Sequence, residues 1–381
     1  ILSGAQPSGQ LHIGNYFGMI ERMIRFQSES DLFCFVANYH SMTSINDKAE
    51  LEDNTKQAFI DLLALGIDPD KSTFWVQSHV PEVTELAWIL SNFASVGLMQ
   101  RSTSYKDKIS NGLKPNMGLF SYPILMASDI LLFQSEMVPV GKDQKQHLEM
   151  TRDIAIKFNN TFGEIFTIPE IEINESNDVV IGIDNQKMSK SYNNTIPIFA
   201  DNDTIKDQVM NIVTDSAGLN EPKDKHTPLF KIYSLFLNDE SKKELADRYD
   251  TPGLKYMEIK NELIETIISF FELQRSKREQ LLANPDEVNQ KMILGQNKAK
   301  KIAQENLINE TLQKLHAKNI GVYVDSNQVD EVLSNFLSVR NLTIENLSKT
   351  LREFGSSLNE LKAYLRASVL IRNIINYPLK N

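Results

Sequence analysis

The first half of the chain alternates short apolar runs, of a length typical of strands, with segments of helical periodicity. Apolar residues recur at helical spacing from Tyr16 to Ile24 and again over about 48–65, where Gly66 ends the pattern. Around these helices lie the runs ILSG at 1–4, LFCFVA at 32–37, STFWVQ at 72–77 and MVPVG at 137–141. Such alternation predicts an α/β fold with parallel strands joined by crossover helices.

After about residue 200, helical periodicity replaces the strand-like runs. The clearest helix is predicted over about 254–282, with an apolar face formed by Leu263, Ile264, Ile267, Ile268 and Phe271. We therefore predict an α/β domain over 1–199, a helical domain over 200–290, a helix over 291–322 that packs back on the first domain, and a helical extension over 323–381.

The composition excludes several classes of protein. With 41% hydrophobic and 24% charged residues the chain is typical of a globular protein, and no apolar run reaches the roughly 18 residues that span a bilayer. The single cysteine, Cys34, excludes an internal disulfide and a metal site built on several thiolates. The net charge of −10 neither favours nor excludes nucleic acid. From these features we expect a cytoplasmic location. We also expect residues upstream of Ile1, because the first strand begins there without a methionine.

A loop with glycines joins the first strand to the first helix. It reads AQPSGQLHIGN over 5–15, and a helix N-terminus presents backbone N–H groups to anions. His12 can donate to phosphate, Gly14 leaves room for a nucleotide, and Asn15 adds an amide donor. Taken alone, a glycine-rich turn before a helix is more often only a turn.

A second loop concentrates positive charge and hydroxyl groups. QKMSKSYNN at 186–194 follows a short run, DVVIGI at 178–183, which we predict to be a strand. The alternative interpretation is a basic loop that does nothing but face solvent. The presence of both loops in one α/β chain, in this order, favours an anionic ligand held between them.

The two loops resemble the HIGH and KMSKS signatures of the class I aminoacyl-tRNA synthetases. Together with SGAQPSGQLHIGNYFG, YPILMASDILLF and VPVGKDQKQHLEMTRDIAIKFN, they resemble the bacterial tryptophanyl-tRNA synthetases from Ile1 to about residue 320. The resemblance implies a Rossmann-like catalytic domain, a helical domain that reads the anticodon, and an added C-terminal extension.

Within the class, the tyrosyl-tRNA synthetases are the alternative family. They favour a glutamine where this chain has Met126, which forms an apolar wall suited to an indole. The resemblance implies that Asp129 accepts a hydrogen bond from the indole N–H, whereas without it Asp129 would be read as an acid at a helix N-terminus. The other residues implied to bind the amino acid are Gly4, Gln6, His40, Tyr122 and Gln144.

The resemblance also implies the residues that bind and activate ATP. The catalytic residues would be Lys187, Lys190, His12 and Asn15. The residues in contact with ATP would be Gln6, Pro7, Ser8, Gly14, Asn15, Gly141, Lys142, Asp143, Val179, Lys187, Met188, Ser189, Lys190 and Ser191. Mg²⁺ would be bound through the ATP phosphates rather than by a cage of protein carboxylates.

The implied activity is a tryptophan–tRNA ligase that uses L-tryptophan, ATP and tRNA(Trp) and acts as a homodimer without membrane association. Two hypotheses from other classes remain. An adenylyl-transferring enzyme of cofactor biosynthesis shares a similar histidine–glycine loop, but is usually shorter and lacks the lysine loop. A non-catalytic RNA-binding paralogue would be expected to have broken signatures.

Overall fold

The protein is described from a computed structural model. It describes residues 1–102, 105–106, 110, 112, 115–141, 144–173, 179–306, 324–340, 342–353, 358, 361–362, 365–366 and 369. Within these ranges, none of the helices has the length and hydropathy required to cross a membrane.

Parallel strands form the centre of the first half, as predicted. Strands β1 (Leu2–Ala5), β2 (Phe33–Val36) and β3 (Thr73–Val76) pair in that order, all parallel. A second parallel pair consists of β4 (Met137–Val140) and β5 (Glu170–Ile173), and β4 lies beside β1. A crevice therefore opens at the carboxyl ends of β1 and β4, which is where open α/β sheets bind ligands.

The helices of the first half cover both faces of this sheet. The helical segment after β1 begins at Ile13, earlier than predicted, and passes through a π-helical stretch over Tyr16–Ile20. The helix predicted over 48–65 has those bounds, with Asp47 accepting from the Glu50 N–H and Gly66 at φ +122°. The helices are α1 (Ile13–Asn15), α2 (Glu21–Glu29), α3 (Asn38–Ser41), α4 (Lys48–Leu65), α5 (Glu82–Ser91), α6 (Val96–Gln100), α7 (Met117–Leu132) and α8 (Lys145–Phe162).

The strand predicted over 178–183 is wrong for the residues described. Val179 and Val180 are not in a strand, and Ile181 forms only an isolated bridge with Lys187. The chain reverses at Asn185, which has φ +68°. Val180 is buried and its carbonyl oxygen accepts from Met188 N at 2.8 Å, so the run lies beside the lysine loop.

The second half is helical, but the long helix predicted over 254–282 is wrong. Two helices meet at Phe271, whose backbone leaves the helical region at φ −101°, ψ 10°. The break lets the buried Phe271 ring pack edge-on against Tyr16, with 5.0 Å between ring centroids. The helices are α9 (Asn202–Met210), α10 (Pro228–Ser234), α11 (Asp239–Asp250), α12 (Tyr256–Phe270), α13 (Glu272–Ala283) and α14 (Pro285–Asn306).

Two hydrophobic cores connect these helices to the sheet, the second of them through Ala299 and Ala303 of α14, and a small separate core lies in the extension. Buried residues of the first α/β segment and of α12 belong to the same cluster. In the extension, α15 (Ser326–Val339) and α16 (Ile344–Glu353) bury Val329, Leu333 and Leu347 together. The domain boundaries at 199, 290 and 322 stay predictions.

Helix α14 packs directly against the backbone of β3. A Cβ atom built on Gly295 would lie 1.6 Å from the carbonyl oxygen of Phe74. Glycine is therefore required at this position by close approach of two backbones rather than by its φ angle. The contact ties α14 to the sheet that carries the site.

Replacing Gly295 by alanine should lower the free energy of unfolding by about 1–3 kcal/mol, the usual cost of overpacking a close contact. Chemical denaturation followed by circular dichroism measures this. Gly97→Ala is the matched control, because its nearest atom to a built Cβ is 3.9 Å away and alanine favours a helix. Equal stabilities of the two variants would contradict the close approach of α14.

Candidate active site

A cavity of about 470 Å³ opens in the crevice beside β1 and β4. Its wall includes Phe35 and Ala37 from the end of β2 and Val138 and Val140 from β4. All the residues predicted to bind the amino acid line it: Gly4, Gln6, His40, Tyr122, Met126, Asp129 and Gln144. The structure thus brings together residues that lie as far apart in the chain as Gly4 and Gln144, more than two thirds of the length of the predicted catalytic domain.

Helix α7 supplies three of these residues on one face. Tyr122, Met126 and Asp129 follow one another at spacings of four and three, so they point in the same direction. Asp129 lies in the interior of α7, so its alternative interpretation as an acid at a helix N-terminus is wrong. Helix α7 therefore positions both the apolar wall at Met126 and the hydrogen-bond acceptor Asp129.

The carboxylate of Asp129 is buried and held from two sides. His40 Nε2 lies 2.8 Å from Oδ2, and Gln77 Nε2 donates to Oδ1 at 2.8 Å and to Oδ2 at 2.9 Å. Burial raises the pKa of Asp129, and the contacts with His40 and Gln77 oppose that rise. Each oxygen can accept more than one hydrogen bond, so the group retains acceptor capacity for a ligand N–H.

Sequence reasoning missed a buried histidine behind Tyr122 and Gln144. His147 is fully buried, with Nδ1 3.0 Å from Gln144 Oε1 and Nε2 in a short hydrogen bond with Tyr122 Oη. Since the amide oxygen only accepts, Nδ1 carries the proton and Nε2 accepts from the tyrosine. This arrangement directs a lone pair of Tyr122 Oη away from the histidine, which suits an ammonium ligand.

The two signature loops lie against each other. Ile13 N donates to Ile196 O at 3.0 Å, and Ile198 N donates to Leu11 O at 3.1 Å. A Cβ on Gly14 would lie 2.9 Å from His12 Nδ1 and 3.1 Å from the buried Met188 Sδ. The absence of a side chain at Gly14 is thus what allows the loops to approach.

Lys190 crosses from the second loop to the first. Its ammonium donates to Ser8 O at 2.9 Å and to Ser8 Oγ at 3.3 Å. Burial lowers the pKa of Lys190, and the charge of Asp61 acts in the opposite direction. In the lysine loop, Lys187 and Ser191 are exposed and Ser189 is half-buried. In the facing loop, Gln6 and Ser8 are exposed and Pro7 is buried.

His12 is buried and neutral at neutral pH. Burial, and secondarily the charge of Lys190, lower its pKa to about 4. Within the described part of the chain, His12 Nδ1 has no hydrogen-bond partner. Asn15 Oδ1 accepts from the His12 backbone N–H at 3.0 Å, so the amide nitrogen of Asn15 is the atom that can donate to a ligand.

Asn194 is a second residue that sequence reasoning missed, although it lies in the quoted loop. Its Oδ1 accepts from Ser189 N at 2.8 Å, and its Nδ2 donates to Lys187 O at 3.0 Å and to Asp184 Oδ1 at 2.7 Å. A Cβ on Gly182 would lie 2.4 Å from this amide. The side chain therefore fixes the backbone that carries both lysines.

The remaining predicted residues are placed as follows. Gly141 lines the cavity at the end of β4, whereas Lys142 and Asp143 lie outside the described residues. Val179 is exposed and lines a different cavity of about 770 Å³ with Phe17 and Phe230. Over the described ranges, no group of three His, Cys, Asp or Glu side chains is arranged to hold a metal.

A parallel sheet with a buried acceptor, a histidine–glycine loop and a facing lysine loop is the architecture of class I synthetases. A family model described as tRNA synthetases class I (W and Y) matches residues 1–272, and the chain belongs to this family. The predicted resemblance is thereby confirmed.

Individual members of this family are similar to the chain over most of its length. The chain is 51% identical over 319 residues to a tryptophan–tRNA ligase of Campylobacter jejuni (strain RM1221), covering 84% of this chain and 98% of that protein. It is 51% identical over 307 residues to a tryptophan–tRNA ligase of Fusobacterium nucleatum, covering 80% and 94%. A crystal structure of tryptophanyl-tRNA synthetase from Campylobacter jejuni complexed with ADP and tryptophan has a TM-score of 0.77 and 51% identity, covering 84% of this chain and 99% of that chain.

Proposed function

We propose that this chain is a tryptophan–tRNA ligase, which activates L-tryptophan with ATP and transfers it to tRNA(Trp). The observation that carries the proposal is the cavity in which the buried Asp129 faces an apolar wall formed in part by Met126. An indole can fill an apolar slot and donate one hydrogen bond, and Asp129 is the acceptor for it. The α-ammonium group is received by Tyr122 and Gln144.

In the first step, the tryptophan carboxylate attacks the α-phosphorus of ATP, and the bond to the bridging oxygen of the β-phosphate breaks. The carboxylate needs no protein nucleophile, so positioning and charge stabilisation are the protein's contribution. Lys190 and Lys187 neutralise the charge on the departing pyrophosphate. Neutral His12 and the amide of Asn15 act as donors from the opposite loop.

In the second step, a ribose hydroxyl at the 3′ end of the tRNA attacks the mixed anhydride, which releases AMP and forms the ester. The helical segment over 200–290 reads the anticodon. Mg²⁺ is bound through the phosphates of ATP, because phosphate oxygens and water satisfy its preference for oxygen ligands. The activity belongs to protein synthesis in the cytoplasm.

Pyrophosphate exchange into ATP, measured with each of the twenty amino acids before any tRNA is added, tests the proposal. Exchange with tryptophan alone is the expected result. Exchange with tyrosine would keep the chemistry and overturn the assignment of Met126 and Asp129. The absence of exchange with every amino acid would favour the non-catalytic paralogue.

The homodimer is proposed from exposed apolar side chains on neighbouring helices. Trp88 of α5 is 75% exposed, Val96 of α6 is 62% exposed and Met117 of α7 is 73% exposed. Helices α5 and α6 both contact α7. Large exposed apolar side chains on helices that contact one another are typical of an interface between subunits.

Trp88→Glu should shift the protein from dimer to monomer, because a carboxylate would be buried at the interface without a partner. Light scattering after gel filtration gives the mass directly. The control is Leu273→Glu, which introduces the same charge at a residue of α13 that is 81% exposed. A dimer of unchanged mass for Trp88→Glu would exclude this surface.

A further inference from the structure

Gln77 stands behind Asp129 and does not line the cavity. It begins the short 3₁₀ helix (Gln77–His79) after β3, is 1% exposed, and its amide nitrogen lies within 2.9 Å of both oxygens of the Asp129 carboxylate. Its position directly after β3 is the one feature of the sequence that points to it. Its distance in the chain from Asp129 is 52 residues.

The orientation of the Gln77 amide is fixed from its other end. The backbone N–H of Tyr39 donates to Gln77 Oε1 at 3.0 Å. An amide turned by 180° would place its NH₂ against this N–H and its oxygen against the carboxylate, which removes every hydrogen bond made here. The Tyr39 N–H therefore directs the amide donors at Asp129.

The two turns that hold this amide are themselves tied together. Asn38 Nδ2 donates to Ser78 Oγ at 2.8 Å, and Ser78 N donates to Asn38 Oδ1 at 3.0 Å. Asn38 follows β2 and Ser78 follows β3, the adjacent parallel strand. The carboxyl ends of neighbouring strands thus form one rigid support beneath Asp129.

We propose that Gln77 is a positioning residue that holds Asp129 as an oriented, ionised acceptor and so sets the preference for an amino acid whose side chain carries an N–H. The proposal rests on the proposed function, since it deepens the recognition of tryptophan at the same cavity. An amide suits this role because it donates hydrogen bonds without a charge and does not titrate in the physiological range.

The charged and titratable groups around Asp129 come from several elements. His40 of α3 contacts it directly. Tyr122, which lies on α7 with Asp129, pairs with His147 of α8, and Arg22 of α2 lines the cavity and pairs with Glu172 at 3.1 Å. Burial raises the pKa of Asp129 and the Gln77 contact opposes it. Removal of the amide should therefore raise this pKa further, so that Asp129 becomes protonated at a higher pH.

Gln77→Met tests the proposal, because it removes the donors and keeps the length of the side chain. The measurement is the ratio of kcat/KM in pyrophosphate exchange for tryptophan and for β-(3-benzothienyl)alanine, which has sulfur in place of the indole N–H. Protonation of ATP and of the α-amino group affects both substrates and cancels in the ratio. We expect a ratio that falls by about tenfold at pH 7, in line with one hydrogen bond to a charged group.

The pH profile of the same ratio separates positioning from a general loss of structure. In Gln77→Met, the ratio should decline with falling pH about one pH unit earlier than in the wild type. Gln77→Glu keeps an acceptor for the Tyr39 N–H but puts a second carboxyl group beside Asp129, so the decline should begin at a still higher pH. Gln280→Met is the matched control, since it makes the same replacement at an exposed residue of α13.

An unchanged ratio and an unchanged pH profile in a folded Gln77 variant would overturn the inference. The same holds if Gln280→Met gives the changes expected of Gln77→Met. A wild-type protein that exchanges tryptophan while the Gln77 variants behave normally refutes the role of Gln77 alone. A wild-type protein that fails to exchange tryptophan refutes the proposed function instead.

Discussion

Lys190→Ala should slow tryptophan-dependent pyrophosphate exchange by about 100- to 1000-fold, the usual cost of removing one charge-stabilising donor from an active site. The Lys190 ammonium donates a hydrogen bond to the carbonyl oxygen of Ser8 in the facing loop, at 2.9 Å. Tryptophan lies on the other side of the reacting phosphate, so its KM should change little. The loss should therefore fall on kcat.

Steady-state exchange at varied tryptophan and ATP concentrations gives both parameters. Lys206→Ala is the control, because it removes an exposed lysine of α9 that belongs to neither loop. A variant with unchanged kcat and a raised KM for tryptophan would mean that Lys190 acts on the amino acid instead. That result would contradict the proposed role of the lysine loop in stabilising the charge of the leaving pyrophosphate.

The contact between Lys190 and Ser8 also explains why this lysine begins a single 3₁₀ turn (Lys190–Tyr192) in the loop and does not lie inside a longer helix. An interaction that is equally strong in the ground state and the transition state does not accelerate the reaction. On the proposed mechanism, the ammonium leaves Ser8 as charge develops on the pyrophosphate. The backbone of the loop is held by Asn194, which bonds to Ser189 N and to Lys187 O.

The strands were predictable because buried parallel strands are continuous apolar runs, and helix α4 because an N-cap aspartate and a final glycine mark its ends. The break at Phe271 was not predictable, since the apolar periodicity continues through it. It depends on the packing of that ring against Tyr16, which lies in a distant part of the chain. The strand prediction over 178–183 was wrong for a similar reason, because an apolar composition does not indicate the chain reversal at Asn185.

For the site, the motifs and their resemblance indicated residues that line the cavity or belong to the loops. They did not indicate Gln77 and His147, which act behind those residues. Each is defined by a partner 25 or more residues away, and a single sequence holds no local signal for such a pair. The one usable clue was a polar residue close to the carboxyl end of a parallel strand, and it applied to Gln77, directly after β3, and to His40, four residues after β2.

Asp129→Asn should lower kcat/KM for tryptophan by about 100- to 1000-fold, mainly through KM. The carboxylate accepts from both His40 and Gln77, and an amide would turn one acceptor into a donor that faces a donor. The loss of a charged hydrogen bond to the indole N–H and an unpaired buried donor together cost about 3–4 kcal/mol.

Asp153→Asn, at an exposed position of α8, controls for the loss of one carboxylate. Circular dichroism establishes that Asp129→Asn is folded before its kinetics are compared. The two predictions therefore differ in the parameter that changes. Lys190→Ala should lower kcat, and Asp129→Asn should mainly raise the KM for tryptophan. A fall in kcat alone for Asp129→Asn would contradict this division, because a residue that binds only the indole contributes equally to the ground state and the transition state.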